Sequence, residues 1–172
     1  MASERTVSGT AVRQELPTAL PYRVEALAAT SALVYIWTLP SFQRALAAQV
    51  APDVDLGVQT LVRHLGMFGS QFPSHLGTAL GMTRSNVSKI VRRAETHGLV
   101  IREPGTGDRR SVLVKLSSAG EILAARTLEV GDEMMSELTQ GWSREELHDW
   151  TRLSHRLANA AAEFAQSLID AN

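Results

Sequence analysis

Between Leu56 and Leu116 the spacing of apolar residues changes from threes and fours to twos, and that change divides the chain into readable elements. Leu56, Val58, Leu61, Val62 and Leu65 recur with a helical period behind Asp55, whose carboxylate suits an N-cap. This helix should end near Gly66 to Gly69. Phe72-Pro73-Ser74 opens a short helix through Leu80, closed by Gly81. Thr83 then caps a helix that turns Val87, Ile90, Val91 and Ala94 inward and stops at Gly98. Only Gly81-Met82-Thr83 links these two helices, the tight glycine-containing turn of a helix-turn-helix. From Leu99 the chain is β-branched to Glu103, breaks at Pro104-Gly105-Thr106-Gly107-Asp108, and alternates from Ser111 to Leu116. That pattern predicts a hairpin whose tip carries Arg109 and Arg110.

Helical patterns flank this region on both sides. Val24, Leu27, Ala28 and Val34 or Tyr35 recur on one side of a first helix, which Pro40 must kink or restart. Ser41 to Val50 continues as a second piece, broken by Ala51-Pro52-Asp53. Downstream, Ser118 with Glu121 predicts a capping box for a long helix to about Thr139, and Gly141 breaks it. Ser143 with Glu146 predicts a second box. The helix behind it carries Leu147, Trp150, Leu153, Leu157, Ala161, Phe164 and Leu168 in steps of three and four. So long a stripe, with little chain left to bury it, predicts a dimerisation seam. The expected fold is therefore mainly α with a small β-hairpin wing: a winged helix-turn-helix between N- and C-terminal dimerisation helices. Its divisions are a flexible tail over 1–17, an N-terminal helical segment over 18–54, the winged helix-turn-helix over 55–117 and C-terminal helices over 118–172.

Composition narrows the function classes. With 44% apolar and 20% charged residues, 172 residues can build a proper core. The chain has no cysteine, which excludes disulfides, thiolate metal sites and thiol redox sensing. No apolar run approaches the ~18 residues of a membrane span, and Met1 to Val12 lacks the apolar core of a signal peptide. These features predict a soluble, cytoplasmic protein.

The net charge of −1 conceals an uneven arrangement. Arg84 to Lys115 holds 8 Lys or Arg against Glu95, Glu103 and Asp108, net +5, whereas Leu116 to Asn172 holds 4 Arg against 10 acids. A short basic block in an acidic chain is the footprint of a local polyanion contact. The helix capped by Thr83 lies in that block, and its outward face carries Arg84, Ser85, Asn86, Ser88, Lys89, Arg92 and Arg93. Arg and Lys address guanine edges or phosphates, and Asn pairs with adenine, so this face suits a DNA major groove. Thr83 to Asn86, at the helix start, are nearest the base-reading role, and Arg93 is expected on phosphate. On the wing, Arg109 or Arg110 can enter a minor groove, with Asp108 holding one of them extended. The alternative is a protein-interaction module on a degenerate winged scaffold, its basic face taking an acidic partner.

Other candidate sites are weaker. A small-molecule effector pocket would draw on Tyr35, Trp37, Phe42, Arg63, His64, Met67 and Phe68, residues that serve equally as core or dimer seam. Glu145 and His148 have a metal-compatible spacing, but in a single copy, so no metal site is assigned. No phosphate-binding glycine loop, nucleophile elbow or paired acidic motif occurs; neither an enzyme nor a cofactor is expected.

The stretch Gly107-Asp108-Arg109-Arg110-Ser111-Val112-Leu113-Val114-Lys115-Leu116-Ser117-Ser118-Ala119-Gly120 resembles the wing of the MarR (multiple antibiotic resistance regulator) family. Met82-Thr83-Arg84-Ser85-Asn86-Val87-Ser88-Lys89-Ile90-Val91 resembles that family's recognition helix, and Glu95-Thr96-His97-Gly98-Leu99-Val100 its exit. The resemblance runs from about Leu56 to Leu157 and is most specific in the wing. It implies a homodimer that binds double-stranded DNA at a pseudo-palindromic operator, usually as a repressor. It also implies release by a small, often aromatic, anionic ligand, and a wing pair of Asp108 and Arg110. Ala94, where the family more often has leucine, Pro40 and the tail before Pro17 depart from the pattern.

Overall fold

A computed structural model describes residues 16–104 and 112–171. The elements run α1 (Glu25–Thr38), α2 (Pro40–Val50), α3 (Leu56–Phe68), α4 (Pro73–Ala79), α5 (Arg84–Thr96), β1 (Val100–Pro104), β2 (Val112–Leu116), α6 (Ser118–Leu138) and α7 (Arg144–Asp170). Two compact units divide inside α6, at Ala124 and Ala125. This is the mainly helical winged helix-turn-helix that the sequence pattern predicts.

In the first unit the core consists of the positions that the helical and strand periods select. Val58, Leu61, Val62 and Leu65 of α3 pack with Leu76 of α4 and with Val87, Ile90, Val91 and Ala94 of α5. Leu99, Val100, Val114, Leu116 and Ala124 close the cluster. Burial of so many aliphatic side chains, each contributing about 1.5–3 kcal/mol, fixes the α5 backbone from behind. One polar side chain joins them: Gln59 is 4% exposed. Its Nε2 lies 2.8–2.9 Å from the carbonyls of Ala47, Ala51 and Val54, so it closes the end of α2 and the turn into α3. Pro40 restarts the helix as expected, standing at the first position of α2. In α1 the buried positions are Ala28 and Ala32, whereas Val24, Leu27, Val34 and Tyr35 remain exposed. The expected apolar face is thus uncovered in the protomer.

The hairpin is antiparallel, pairing Val100 with Leu116 and Pro104 with Val112. Beyond the predicted strands, Gln71 bridges Val114, its N–H donating to the Val114 carbonyl (3.0 Å) and its carbonyl accepting in return (2.9 Å). The segment entering α4 is thereby stitched to β2. The cap of α6 also differs from the expected Ser118–Glu121 box. Ser117 is the cap: its Oγ accepts from the Gly120 N–H (3.1 Å) and donates to the Gly98 carbonyl. A Cβ on Gly120 would lie 2.0 Å from the Leu99 carbonyl oxygen, so only glycine permits this approach.

In the second unit, Ser143 and Glu146 form the predicted capping box at α7. Arg126 on α6 bridges Glu129 and Glu133, and these two carboxylates raise its pKa. Hydrogen bonds from Ser143, chiefly its backbone N–H, hold the Glu146 carboxyl below its ordinary value. No helix among the described residues is long and apolar enough to cross a membrane.

Candidate nucleic-acid interface

The α4–α5 pair has the geometry of a helix-turn-helix because both of its stops are satisfied locally. Helix α4 ends with Gly81 at φ 61°, where the Met82 and Gly81 N–H groups donate back to Gly77 (2.8 Å) and Thr78 (3.3 Å). Helix α5 begins at once behind Thr83, whose Oγ1 accepts from the Asn86 N–H (3.3 Å). It ends in the same manner, with Gly98 at φ 68° and the Leu99 and Gly98 N–H groups donating to Ala94 (2.9 Å) and Glu95 (2.9 Å). Buried Ala94 therefore contributes a carbonyl to the stop as well as a methyl to the core.

With Val87, Ile90, Val91 and Ala94 buried, the opposite side of α5 is open. Thr83, Arg84, Ser85, Asn86, Ser88, Lys89, Arg92 and Arg93 are all exposed, as the sequence reading expects. Their electrostatic states differ. Arg84, Lys89 and Arg92 have no hydrogen-bond or ion-pair partner among the described residues. Arg93 instead donates through Nη2 to Asp55 Oδ1 at 3.1 Å, and the same oxygen accepts the Val58 N–H at 3.1 Å as cap of α3. Ser85, Ser88, Lys89, Arg92 and Arg93 line a depression of about 520 Å³ on this face. A second, of about 790 Å³, runs past the start of α5, lined by Phe72, Pro73, Ser74, Gly77, Thr78, Met82, Arg84 and Val112. Ser74 and Thr78, not singled out in the sequence, thus stand beside Arg84; no charge or period marks them.

The base of the wing is tied to α5. Arg102 on β1 donates to Glu95 through Nε (2.7 Å) and Nη2 (3.2 Å), which raises the arginine's pKa. Lys115 pairs with Glu103 across the strands at 3.3 Å. These exposed pairs contribute about 0–1 kcal/mol each, but they use two cations of the basic block internally. Asp108, Arg109 and Arg110 lie outside the described residues.

The other candidates fall on separate elements. Tyr35 and Trp37 stand on α1, exposed and half-buried respectively. On α3, Arg63, Met67 and Phe68 are exposed, and the His64 ring lies tilted by 42° against Phe68 with centroids 4.8 Å apart. His64 Nε2 also meets Gln71 Oε1 at 3.2 Å. On α7, Leu147, Trp150, Leu153, Leu157, Phe164 and Leu168 are all exposed, with Trp150 edge-on to Trp142 at 6.0 Å. Among the described residues no cluster of three or more His, Cys, Asp or Glu could hold a metal ion.

Residues 60–111, covering helix-turn-helix and wing, match the family model described as "MarR family". The transcriptional regulator HosA of Escherichia coli O111:H- is 31% identical over 78 residues, 45% of this chain and 58% of HosA. The chain thus matches a little over half the length of these curated relatives. Apo wild-type MarR from E. coli superposes with a TM-score of 0.60 at 19% identity, covering 74% of this chain and 94% of MarR. The transcriptional regulator Tm0710 from Thermotoga maritima gives 0.61 at 19% identity, covering 78% and 94%. Fold, motif and matched segment agree: residues 60–111 are similar to the MarR family, and the chain has the winged helix-turn-helix fold of the solved structures it resembles.

Proposed function

We propose that the protein is a homodimeric repressor that binds a pseudo-palindromic operator in double-stranded DNA and releases it on taking up a small aromatic or anionic ligand. The observation that carries this reading is the outward face of α5, where Arg84, Lys89 and Arg92 are exposed around Asn86 without partners among the described residues. A helix buried on one side and cationic on the other, entered through a tight turn, fits the major groove with its first residues on the bases. Thr83, Arg84, Ser85 and Asn86 read sequence, and Lys89 and Arg92 hold phosphates. Asp108, Arg109 and Arg110 of the wing reach the flanking minor groove.

Dimerisation is supported by the exposed apolar residues of the terminal helices, Leu27 and Tyr35 on α1 and Leu153, Leu157 and Phe164 on α7. In a monomer each of these helices would leave apolar side chains facing water. The ligand reading rests on Arg63, His64, Met67 and Phe68, a cation, an imidazole and apolar groups gathered at the end of α3, with Tyr35 and Trp37 on α1. Thermal-shift measurements with aromatic acids test it: a dose-dependent rise in Tm supports an effector site, and its absence argues against one. DNA binding is tested by anisotropy titrations against duplex across a salt series. Several phosphate contacts predict affinity falling by about 10³ or more between about 50 and 200 mM salt. Failure to bind duplex at any salt would instead favour the protein-interaction module, its basic face taking an acidic partner.

A further inference from the structure

Asp55 was singled out in the sequence only as the cap of α3, yet it also faces the end of the recognition helix. Its Oδ1 accepts the Val58 N–H and the Arg93 Nη2–H, both at 3.1 Å. Neither side chain of the pair is sunk in the core: 52% of Arg93 and 43% of Asp55 remain exposed. Arg93 lines the same depression as Ser85, Ser88, Lys89 and Arg92. Gly57, in the first turn of α3, leaves room for the pair. A Cβ there would stand 3.1 Å from Asp55 Oδ1 and 3.4 Å from Arg93 Nη2.

We propose that Asp55 is a specificity-determining positioning residue, which engages Arg93 and withholds that cation from sequence-independent phosphate contact. This role rests on the DNA-binding reading of the same face. A carboxylate beside a polyanion repels it, and here that charge is placed against the one α5 cation that stands farthest from the base-reading end. Non-specific affinity is set by how many phosphates the face neutralises, whereas specific affinity also draws on base contacts at the start of α5. Removing Asp55's charge adds one available cation, and the gain falls chiefly on the non-specific mode, where phosphate neutralisation supplies essentially all of the affinity. The wild-type pair therefore widens the ratio between operator and bulk DNA.

Asp55→Asn separates this role from capping, because asparagine caps helices as well as aspartate does. Binding of the full chain to a mixed-sequence duplex is measured across a salt series for wild type, Asp55→Asn, Arg93→Gln and the double variant. The expected result for Asp55→Asn is an affinity several-fold higher at low salt and a log–log salt slope steeper by about 0.9, one further phosphate. Arg93→Gln alone changes the slope little, and the double variant returns to the wild-type slope. A wild-type slope in Asp55→Asn, with its Tm retained, overturns the proposal while leaving DNA binding intact. A gain that persists in the double variant overturns it too, since Arg93 would not be the cation released. Should Asp55→Asn lose Tm, Asp55→Ser gives the second test, since serine also caps helices but offers Arg93 no carboxylate, and a wild-type slope there overturns the role. Wild-type protein that fails to bind duplex at any salt overturns the DNA reading itself, and this role with it.

Discussion

Replacing Gly120 by alanine should destabilise the winged unit, and the structure sets the size of the effect. The added methyl carbon would lie 2.0 Å from the Leu99 carbonyl oxygen, 3.0 Å from its carbon and 3.1 Å from a Leu116 methyl. Carbon–oxygen contacts are tolerated at roughly 3.3–3.6 Å, so backbone must move by more than an ångström. The backbone that would have to move is doubly held. Leu99 donates its N–H to Ala94 in the stop of α5 and accepts the Ser117 N–H at 3.0 Å. Forced shifts of this kind cost about 1–3 kcal/mol, against which alanine's helix preference returns about 0.5–1 kcal/mol. The net loss is about 1–2 kcal/mol, or roughly 2–8 °C in Tm for a chain of this size. Gly131, on the same helix, has nothing within 4 Å of its would-be Cβ. Gly131→Ala should therefore be neutral or stabilising by up to about 1 kcal/mol. Thermal unfolding at one fixed protein concentration compares the two. An unchanged Tm in Gly120→Ala, or the opposite ranking, refutes the reasoning.

Other outcomes follow from the same geometry. Asn86→Ala or Arg84→Ala should relax base preference at one half-site position by about 1–3 kcal/mol, read from duplexes selected out of a random library; an unchanged consensus would remove that residue as a reader. Leu157→Glu with Phe164→Glu, placed on the exposed stripe of α7, should convert a dimer to a monomer in sedimentation, and a wild-type profile would exclude this seam. Glu146, held by Ser143, has its folded pKa depressed, so its contribution is present above the ordinary glutamate range and lost as pH falls through the folded value. An NMR titration should accordingly place Glu146 below ordinary glutamates and show the Ser143 amide losing protection as it protonates. Titration at an ordinary value would contradict the capping box.

Most of the winged unit could be read from the sequence because its signals are local. Asp55, Thr83 and Ser143 each cap the helix that follows within three residues, and Gly81 and Gly98 adopt the left-handed conformation at the stops. What escaped the pattern depends on distant partners. Tandem Ser117 and Ser118 are locally equivalent as caps. The choice falls to Ser117 because its hydroxyl also reaches Gly98, 19 residues earlier. Gln71 pairs with β2 through a single residue, too short to have a period. The state of Arg93 was illegible for the same reason, since its partner lies 38 residues away on another helix. The stripe on α7 is legible as an apolar face, exposed in the protomer, but periodicity carries no information about what would cover it.

The central claim is that the exposed cations of α5 meet DNA phosphates and bases, and one measurement addresses it directly. The salt dependence of duplex binding is compared between wild type and the variant with Arg84, Lys89 and Arg92 all changed to glutamine. If the face binds DNA, the log–log slope falls by roughly 2–3, close to one per cation lost, with the fold and Tm retained. A slope and affinity matching wild type would contradict the account.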